Sequence, residues 1–298
     1  MSSDGDVWLR PRKRFPFRGD GDIVVLEERF EKNFNGGFPV LLGSARVGIM
    51  LILKLFHNSR YISIFPYASQ CIVKAAILAE KDIHTPLPNQ PREIIYNQWG
   101  FHQDYGIGIN PFLEDSADSL YPVGGRVCKA NSRFEVWSFP KILGTSFGGV
   151  VWCKSESDAL RLRKIRDDLP RQNFLYQSLL STLKSKSKSG YQIWEDYEFS
   201  HPGLTKSQIK ILSVQLDMWA ATYLKMASSY RKAFQKAGNV NYLGEQDLSK
   251  LNFGVIPTVI EWKSPIDNKY VRELSRVYYD GNMEYKRVYA YQKLIDTK

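Results

Sequence analysis

Between Phe38 and Cys153 short apolar runs alternate with stretches of helical period, and this alternation narrows the folds open to the chain. The runs are Phe38 to Leu42, Tyr61 to Phe65, Glu93 to Tyr96, Pro111 to Glu114, Phe134 to Ser138 and Val150 to Cys153. Each reads as a strand. After Gly43-Ser44-Ala45-Arg46 a helical stretch runs to about Phe56, and Pro66 to Glu80 contains another. Strands that alternate with helices build a mainly parallel sheet covered on both faces, an α/β fold. Ligands of such sheets lie beyond the carboxyl ends of the strands. The residues expected there are Gly43 and Ser44, Pro66 and Tyr67, Gln98, Glu114 and Asp115, and Ser138 to Lys141. Chemistry-bearing side chains therefore converge on one edge.

The flanks read differently. Residues 1–22 carry Pro and Gly and form an irregular arm. Ile23 to Phe34 has helical spacing and stops at Asn35-Gly36-Gly37. After the last strand, 158–188 and 205–237 read as helical, with the Lys/Ser tract 184–189 as a loop. From Gln208 to Phe234 an apolar stripe runs through Ile209, Leu212, Leu216, Trp219, Tyr223 and Met226. A mixed segment from Gly254 onward closes the chain. This divides it into an arm (1–22), a large α/β domain (23–200) and a helical and small mixed C-terminal lobe (201–298). No internal repeat is visible.

Composition removes several functional classes. The 298 residues are 43% hydrophobic and 24% charged, ordinary for a globular protein. The longest apolar run, Val47 to Phe56, is interrupted by Lys54 and too short to span a bilayer. The first residues lack an apolar signal core, so secretion is not expected. Cys71, Cys128 and Cys153 show no paired spacing and fit reduced thiols of a cytoplasmic protein. The net charge of +10 comes from separate tracts at Arg10 to Arg14, Arg161 to Arg166 and Lys184 to Lys188. Acidic residues such as Glu27, Glu28, Asp167 and Asp168 interrupt this basicity, and no nucleic-acid-binding motif accompanies it. The charge suits anionic small molecules or an anionic membrane face better than nucleic acid.

Lys141 is the residue hardest to place as mere surface. It lies between an apolar strand and a second strand opened by Gly148-Gly149. A strand-end lysine commonly snorkels to solvent. It can instead be a desolvated amine that forms a Schiff base with a carbonyl. Upstream, Asp115 ends another apolar run; an acid there can simply terminate a strand, or it can pair with a pyridinium nitrogen. The Gly43-Ser44 turn before a helix offers backbone N–H groups and a positive dipole end to a phosphate. His102 and His201 read as loop histidines, and Trp99, Trp137, Trp152, Trp194 and Trp219 as packing residues.

Taken together these segments resemble the DegT family of pyridoxal-phosphate-dependent nucleotide-sugar aminotransferases, which have the type I aminotransferase fold. The resemblance runs from about residue 26 to 237. Gly43-Ser44-Ala45 looks like the family's Ser-Gly-Thr phosphate turn, and Glu114-Asp115-Ser116-Ala117 like its Glu-Asp-Ala-Ala. Lys141 to Gly149 resembles its Lys-Asn-Leu-Gly-Thr-Gly-Glu-Gly-Gly segment, and Leu204 to Asp217 its post-lysine helix. The resemblance implies that Lys141 carries pyridoxal 5'-phosphate covalently and moves a proton, and that Asp115 pairs with the ring nitrogen. It also implies that Ser44, Ala45 and Ser138 hold the phosphate. Gln70 stands where an aromatic usually stacks on the ring, and Asp118 where Gln or His is usual. Ser138 and Lys141 are two residues closer together than in the common family spacing, and Arg46 follows the turn where a small residue is common.

The implied activity is transfer of an amino group, with glutamate as donor, to a nucleotide-linked keto-sugar for surface polysaccharide or lipopolysaccharide, by a cytoplasmic homodimer. The rival reading is a relative that no longer transaminates and serves as a binding or scaffold subunit. The shared presence of Lys141 and Asp115 argues for the enzyme.

Overall fold

The computed structural model describes residues 21–64, 70–84, 93–97, 110–117, 119, 121–143, 145–184 and 186–219, with the strands 271–279 and 283–291 as backbone. Tyr67, Gln98, His102, Asp118, Tyr223 and Met226 lie outside the described residues. The order is α1 (Ile23–Asn33), β1 (Phe38–Leu42), α2 (Ala45–Phe56), β2 (Tyr61–Ser63), α3 (Gln70–Leu78), β3 (Asp82–His84), β4 (Ile94–Tyr96) and β5 (Leu113–Asp115). There follow β6 (Phe134–Ser138), α4 (Phe139–Ile142), β7 (Gly149–Cys153), α5 (Glu156–Asp168), α6 (Phe174–Leu183) and α7 (Lys188–Ser200). Helix α8 occupies 206–219, and β8 (Val271–Tyr279) pairs antiparallel with β9 (Met283–Tyr291).

The central sheet has five strands in the order β1-β7-β6-β5-β4. β4, β5 and β6 pair in parallel. β7 is antiparallel to both its neighbours, β6 and β1. Four of the five strands therefore point the same way, with β7 reversed between two of them. β2 and β3 form a separate parallel pair. The architecture is the α/β sheet flanked by helices that the alternation predicts.

Period-two alternation along the strands feeds two cores. Val40, Leu42, Phe134, Val136, Val151 and Cys153 pack with the apolar faces of α2, α3 and α5. Their strand neighbours Leu41, Trp137, Val150 and Trp152 pack with Leu26 and Phe30 of α1, Phe34 just after it, and Ile209, Leu212, Leu216 and Trp219 of α8. Burial on both faces explains why the strands read as near-continuous apolar runs. It also settles the α8 stripe: its four described members are buried within this chain's own core.

β1 is an edge strand, and side chains close its open backbone. The Leu41 N–H donates to Glu27 at 2.7 Å, while the carbonyls of Pro39 and Leu41 accept from Arg163 at 3.0 Å and Arg166 at 3.4 Å. Glu27 pairs with both arginines in return. Burial raises the Glu27 carboxyl above its usual range, against the pull of Arg166 and Arg163. An unpaired row of backbone groups is thus turned inward and cannot template another chain.

Two of the departures from the sequence reading are at element boundaries. The strand expected at Pro111 to Glu114 begins and ends later, so Asp115 is its last residue. The tract 184–189 is not wholly a loop: Ser187 caps α7 by accepting from the Gly190 N–H at 3.0 Å, and the helix starts at Lys188.

Candidate active site

The direction of the strands gathers the candidate residues. The carboxyl ends of β1, β6, β5 and β4 lead respectively to Ser44, to Lys141, to Asp115 and to Asn97, and the reversed β7 begins at the same edge with Gly149. Across the sheet the order is the Gly43–Ala45 turn, Gly148-Gly149, Ser138 and Lys141, Asp115, and Asn97. Neighbouring strands lie about 4.8 Å apart, so the turn and Ser138 are separated by about 10 Å, with Asp115 one strand further.

The turn is built for close approach. Ser44 caps α2, its hydroxyl accepting from the Val47 N–H at 3.4 Å. Gly43 donates to the Pro202 carbonyl and accepts from Gly148 N–H, each at 2.7 Å. Gly148 has φ +92°, and a Cβ on Gly149 would stand 2.4 Å from the Ala45 nitrogen. The Gly-Gly pair is therefore what lets β7 begin against the start of α2. Both Ser44 and Ala45 are buried.

Lys141 is half-buried on α4, a single turn that leaves β6 directly after Ser138. Pro140 pre-sets the first turn of that helix. Ser138 stands at the N-cap without a capping hydrogen bond from its side chain, and Phe139 N–H ties the turn to the Gly148 carbonyl at 3.1 Å. Asp115 Oδ1 accepts from the Ala117 N–H at 3.1 Å, and its carbonyl accepts from Asn97 N–H at 2.9 Å. Gln70 opens α3. The geometry brings Ser44, Ala45, Ser138, Lys141 and Asp115 to one edge. It says nothing of the Gln70 side chain or of Asp118.

Sequence reading missed what lies behind Asp115. Asn97 is buried and donates to Ser116 Oγ at 2.8 Å. Glu114 and Glu135 sit side by side in the β5–β6 register, both buried. Glu114 accepts from Ser132 at 2.5 Å and the Ala130 N–H at 3.0 Å. Glu135 accepts from Cys128 N–H at 2.5 Å and from Trp137 Nε1 at 2.8 Å. Burial and the neighbouring Glu135 push the Glu114 carboxyl up to about 7. Burial and the same acids also raise the Tyr121 phenol and the Cys128 thiol. Burial lowers the ammonium of Lys129, which lies 4.9 Å from the centre of the Tyr121 ring. The one signal in the sequence was an acid inside each of two apolar runs.

A cleft of about 510 Å³ lies elsewhere, lined by Asp22, Arg166, Arg171, Gly203, Lys206 and Lys210, and contains none of the candidate residues. Among the described residues no helix is long and apolar enough to cross a membrane.

The donor set fits one kind of group: a helix start for a phosphate, a primary amine for an aldehyde, and a carboxylate for a ring nitrogen. Comparison with known proteins agrees. Residues 26–264 match the protein family described as "Putative PLP-dependent aminotransferase". The chain belongs to that family; it is an enzyme, a pyridoxal-phosphate-dependent aminotransferase. No curated protein matches its sequence. Among solved structures it resembles a "Putative sugar aminotransferase" from Streptococcus pneumoniae in its PMP form, with 13% identity and TM-score 0.57, over 92% of this chain and 80% of that one. It also resembles E. coli GDP-4-keto-6-deoxy-D-mannose-3-dehydratase with bound hydrated PLP, with 14% identity and TM-score 0.52, over 83% and 73%. A third is a "Putative PLP-dependent aminotransferase" from Bacillus cereus, with 13% identity and TM-score 0.52, over 86% and 73%. These likenesses define the type I aminotransferase fold.

Proposed function

We propose that the chain transfers an amino group, from glutamate, to a keto-sugar carried on a nucleotide, as in the DegT branch of such enzymes. The observation that carries this reading is the convergence of Ser44, Lys141 and Asp115 on one sheet edge. The basic surface, net +10, suits a diphosphate-linked substrate. The sugar aminotransferase among the structural neighbours supports the substrate class. A cytoplasmic homodimer serving surface polysaccharide, including lipopolysaccharide, is the setting we infer.

Pyridoxal phosphate, when bound, supplies an electron-accepting ring and an aldehyde. The protein supplies the rest. The Ser44-capped start of α2 and the Ser138 hydroxyl anchor the phosphate and so fix orientation. Lys141, whose Nζ is tethered to a one-turn helix, is the primary amine that would hold the cofactor through its aldehyde and, once freed by the amino donor, would move a proton at the reacting carbons. Asp115, with one oxygen steadied by Ala117, keeps the proton on the ring nitrogen.

The test pairs absorbance with turnover. Wild-type protein mixed with pyridoxal phosphate gains a visible band, and glutamate removes it as 2-oxoglutarate forms. Lys141→Ala retains the fold by circular dichroism but gains no such band and no turnover. A Lys141→Ala protein cycling amino groups at the wild-type rate would overturn the assignment. Failure of every nucleotide-linked keto-sugar as acceptor, with glutamate half-reaction intact, would remove the substrate class alone.

A further inference from the structure

Arg46 follows the turn directly, at the second position of α2, where a cation would ordinarily be read as a phosphate ligand. Its surroundings assign it another task. The guanidinium side chain is 13% exposed and pairs with two carboxylates of α7, Glu195 at 3.3 Å and Glu198 at 3.4 Å. Its Cζ lies 4.3 Å from the centre of the Trp194 ring, also on α7. Burial opposes the charge, but Tyr191, Glu198, Cys71 and Glu195 outweigh it and hold the proton more tightly than usual.

The two carboxylates are themselves held. Lys74 of α3 binds Glu195 at 2.8 Å and Asp196 at 2.6 Å. The Tyr191 hydroxyl donates to Glu195 at 3.4 Å, and Gln177 of α6 to Glu198 at 3.0 Å. Just beyond α7, the Pro202 carbonyl accepts from Gly43 N–H at 2.7 Å. The turn is thus held on both sides, by the backbone that follows α7 before Ser44 and by α7 side chains after Ala45.

We propose that Arg46 is a positioning residue: α7, through Glu195 and Glu198, fixes Arg46 and with it the backbone amides that receive the cofactor phosphate. This rests on the reading that the Gly43–Ala45 turn is the phosphate site. A guanidinium committed to two carboxylates and a ring orients the turn and leaves the anion to the helix start.

Glu195→Gln/Glu198→Gln separates the two roles of the arginine. A positioning Arg46 loses its anchor. Affinity for pyridoxal phosphate then falls about tenfold, the scale of effects transmitted by supporting residues. Affinity for pyridoxal, which has no phosphate, stays as in the wild type. Amide hydrogen exchange at 43–48 in cofactor-free protein becomes faster. An Arg46 that binds phosphate directly would instead be released, and affinity for pyridoxal phosphate would hold or rise; that result overturns the proposal. Arg46→Met with Glu198→Gln, which leaves less buried charge unpaired, is the second variant, and its exchange at 43–48 should also quicken. Unchanged exchange in both variants rules out the anchor. Wild-type protein that binds pyridoxal phosphate no better than pyridoxal would refute the phosphate site alone, because exchange is read without cofactor.

Discussion

Asp115 accepts the Ala117 N–H through Oδ1, an interaction that asparagine can keep. Asp115→Asn therefore isolates charge from shape. We expect this variant to bind pyridoxal phosphate and to turn over about 100- to 1,000-fold more slowly, the usual loss when a preorganised electrostatic partner is removed. Stopped-flow absorbance of the glutamate half-reaction checks it; an unchanged rate would mean that another group faces the ring nitrogen. Behind Asp115, the Glu114–Glu135 pair makes a different forecast. The Glu114 carboxyl stands at about 7 in the folded protein against 4.5 for the ordinary group, raised by burial and then by Glu135. The folded state thus binds the proton more tightly, and this contribution to stability is complete below pH 4.5 and lost as pH rises through 7. Glu114→Gln, which keeps its acceptor oxygen, should flatten that decline, worth on the order of 2–3 kcal/mol. Urea titrations at pH 5 and pH 8 would show it, and equal slopes in variant and wild type would count against it.

At the scale of elements, the contact between β7 and α2 is the tightest near the site. Gly149→Ala places a methyl 2.4 Å from the Ala45 nitrogen, so backbone has to move. We expect a loss of about 1–3 kcal/mol, typical of overpacking, with weaker binding of pyridoxal phosphate. Denaturation and cofactor titration measure both, and a fully stable variant with wild-type affinity would contradict the contact. The turn and α2 were legible because Gly-Ser before an apolar helical run is local chemistry. The reversal of β7 was not, since apolar periodicity carries no strand direction. α7 escaped notice because its start is a Lys/Ser tract whose Ser187 cap shows only once Gly190 is seen above it. β3 has exposed Asp82 and His84 around half-buried Ile83, with no apolar run to announce it. The Glu114–Glu135 pairing is a matter of register between strands, and Arg46 read as an oddity because its partners lie on that unseen helix.

For the whole molecule, association is the open quantity. The stripe through Ile209, Leu212, Leu216 and Trp219 offers no surface for a partner, because α8 buries it in the chain's own core. Among the exposed apolar residues of the described chain, Leu175, Leu179 and Leu183 lie four residues apart on α6 and are 78%, 55% and 38% exposed. A stripe of that kind favours contact with another copy. We expect light scattering to give twice the chain mass, and dilution below the dimer range to release cofactor. A monomer that keeps pyridoxal phosphate and transaminates would exclude this.

The reversed β7 also sets an order of events in time. Phe38 to Leu42 find their partner strand in Cys153 to Gly149. As the chain leaves the ribosome, the first strand of the sheet waits until nearly the last strand has been made, and contacts so distant in sequence form slowly. Through that interval β1 has neither its neighbour strand nor Arg163 on the Pro39 carbonyl and Arg166 on that of Leu41, which come later still. Any fragment ending before Gly149 leaves β1 unpaired. The end of β1 that starts the proposed phosphate turn is thus among the last places in the sheet to become structured, and a nascent chain completes that turn only when the sheet is complete.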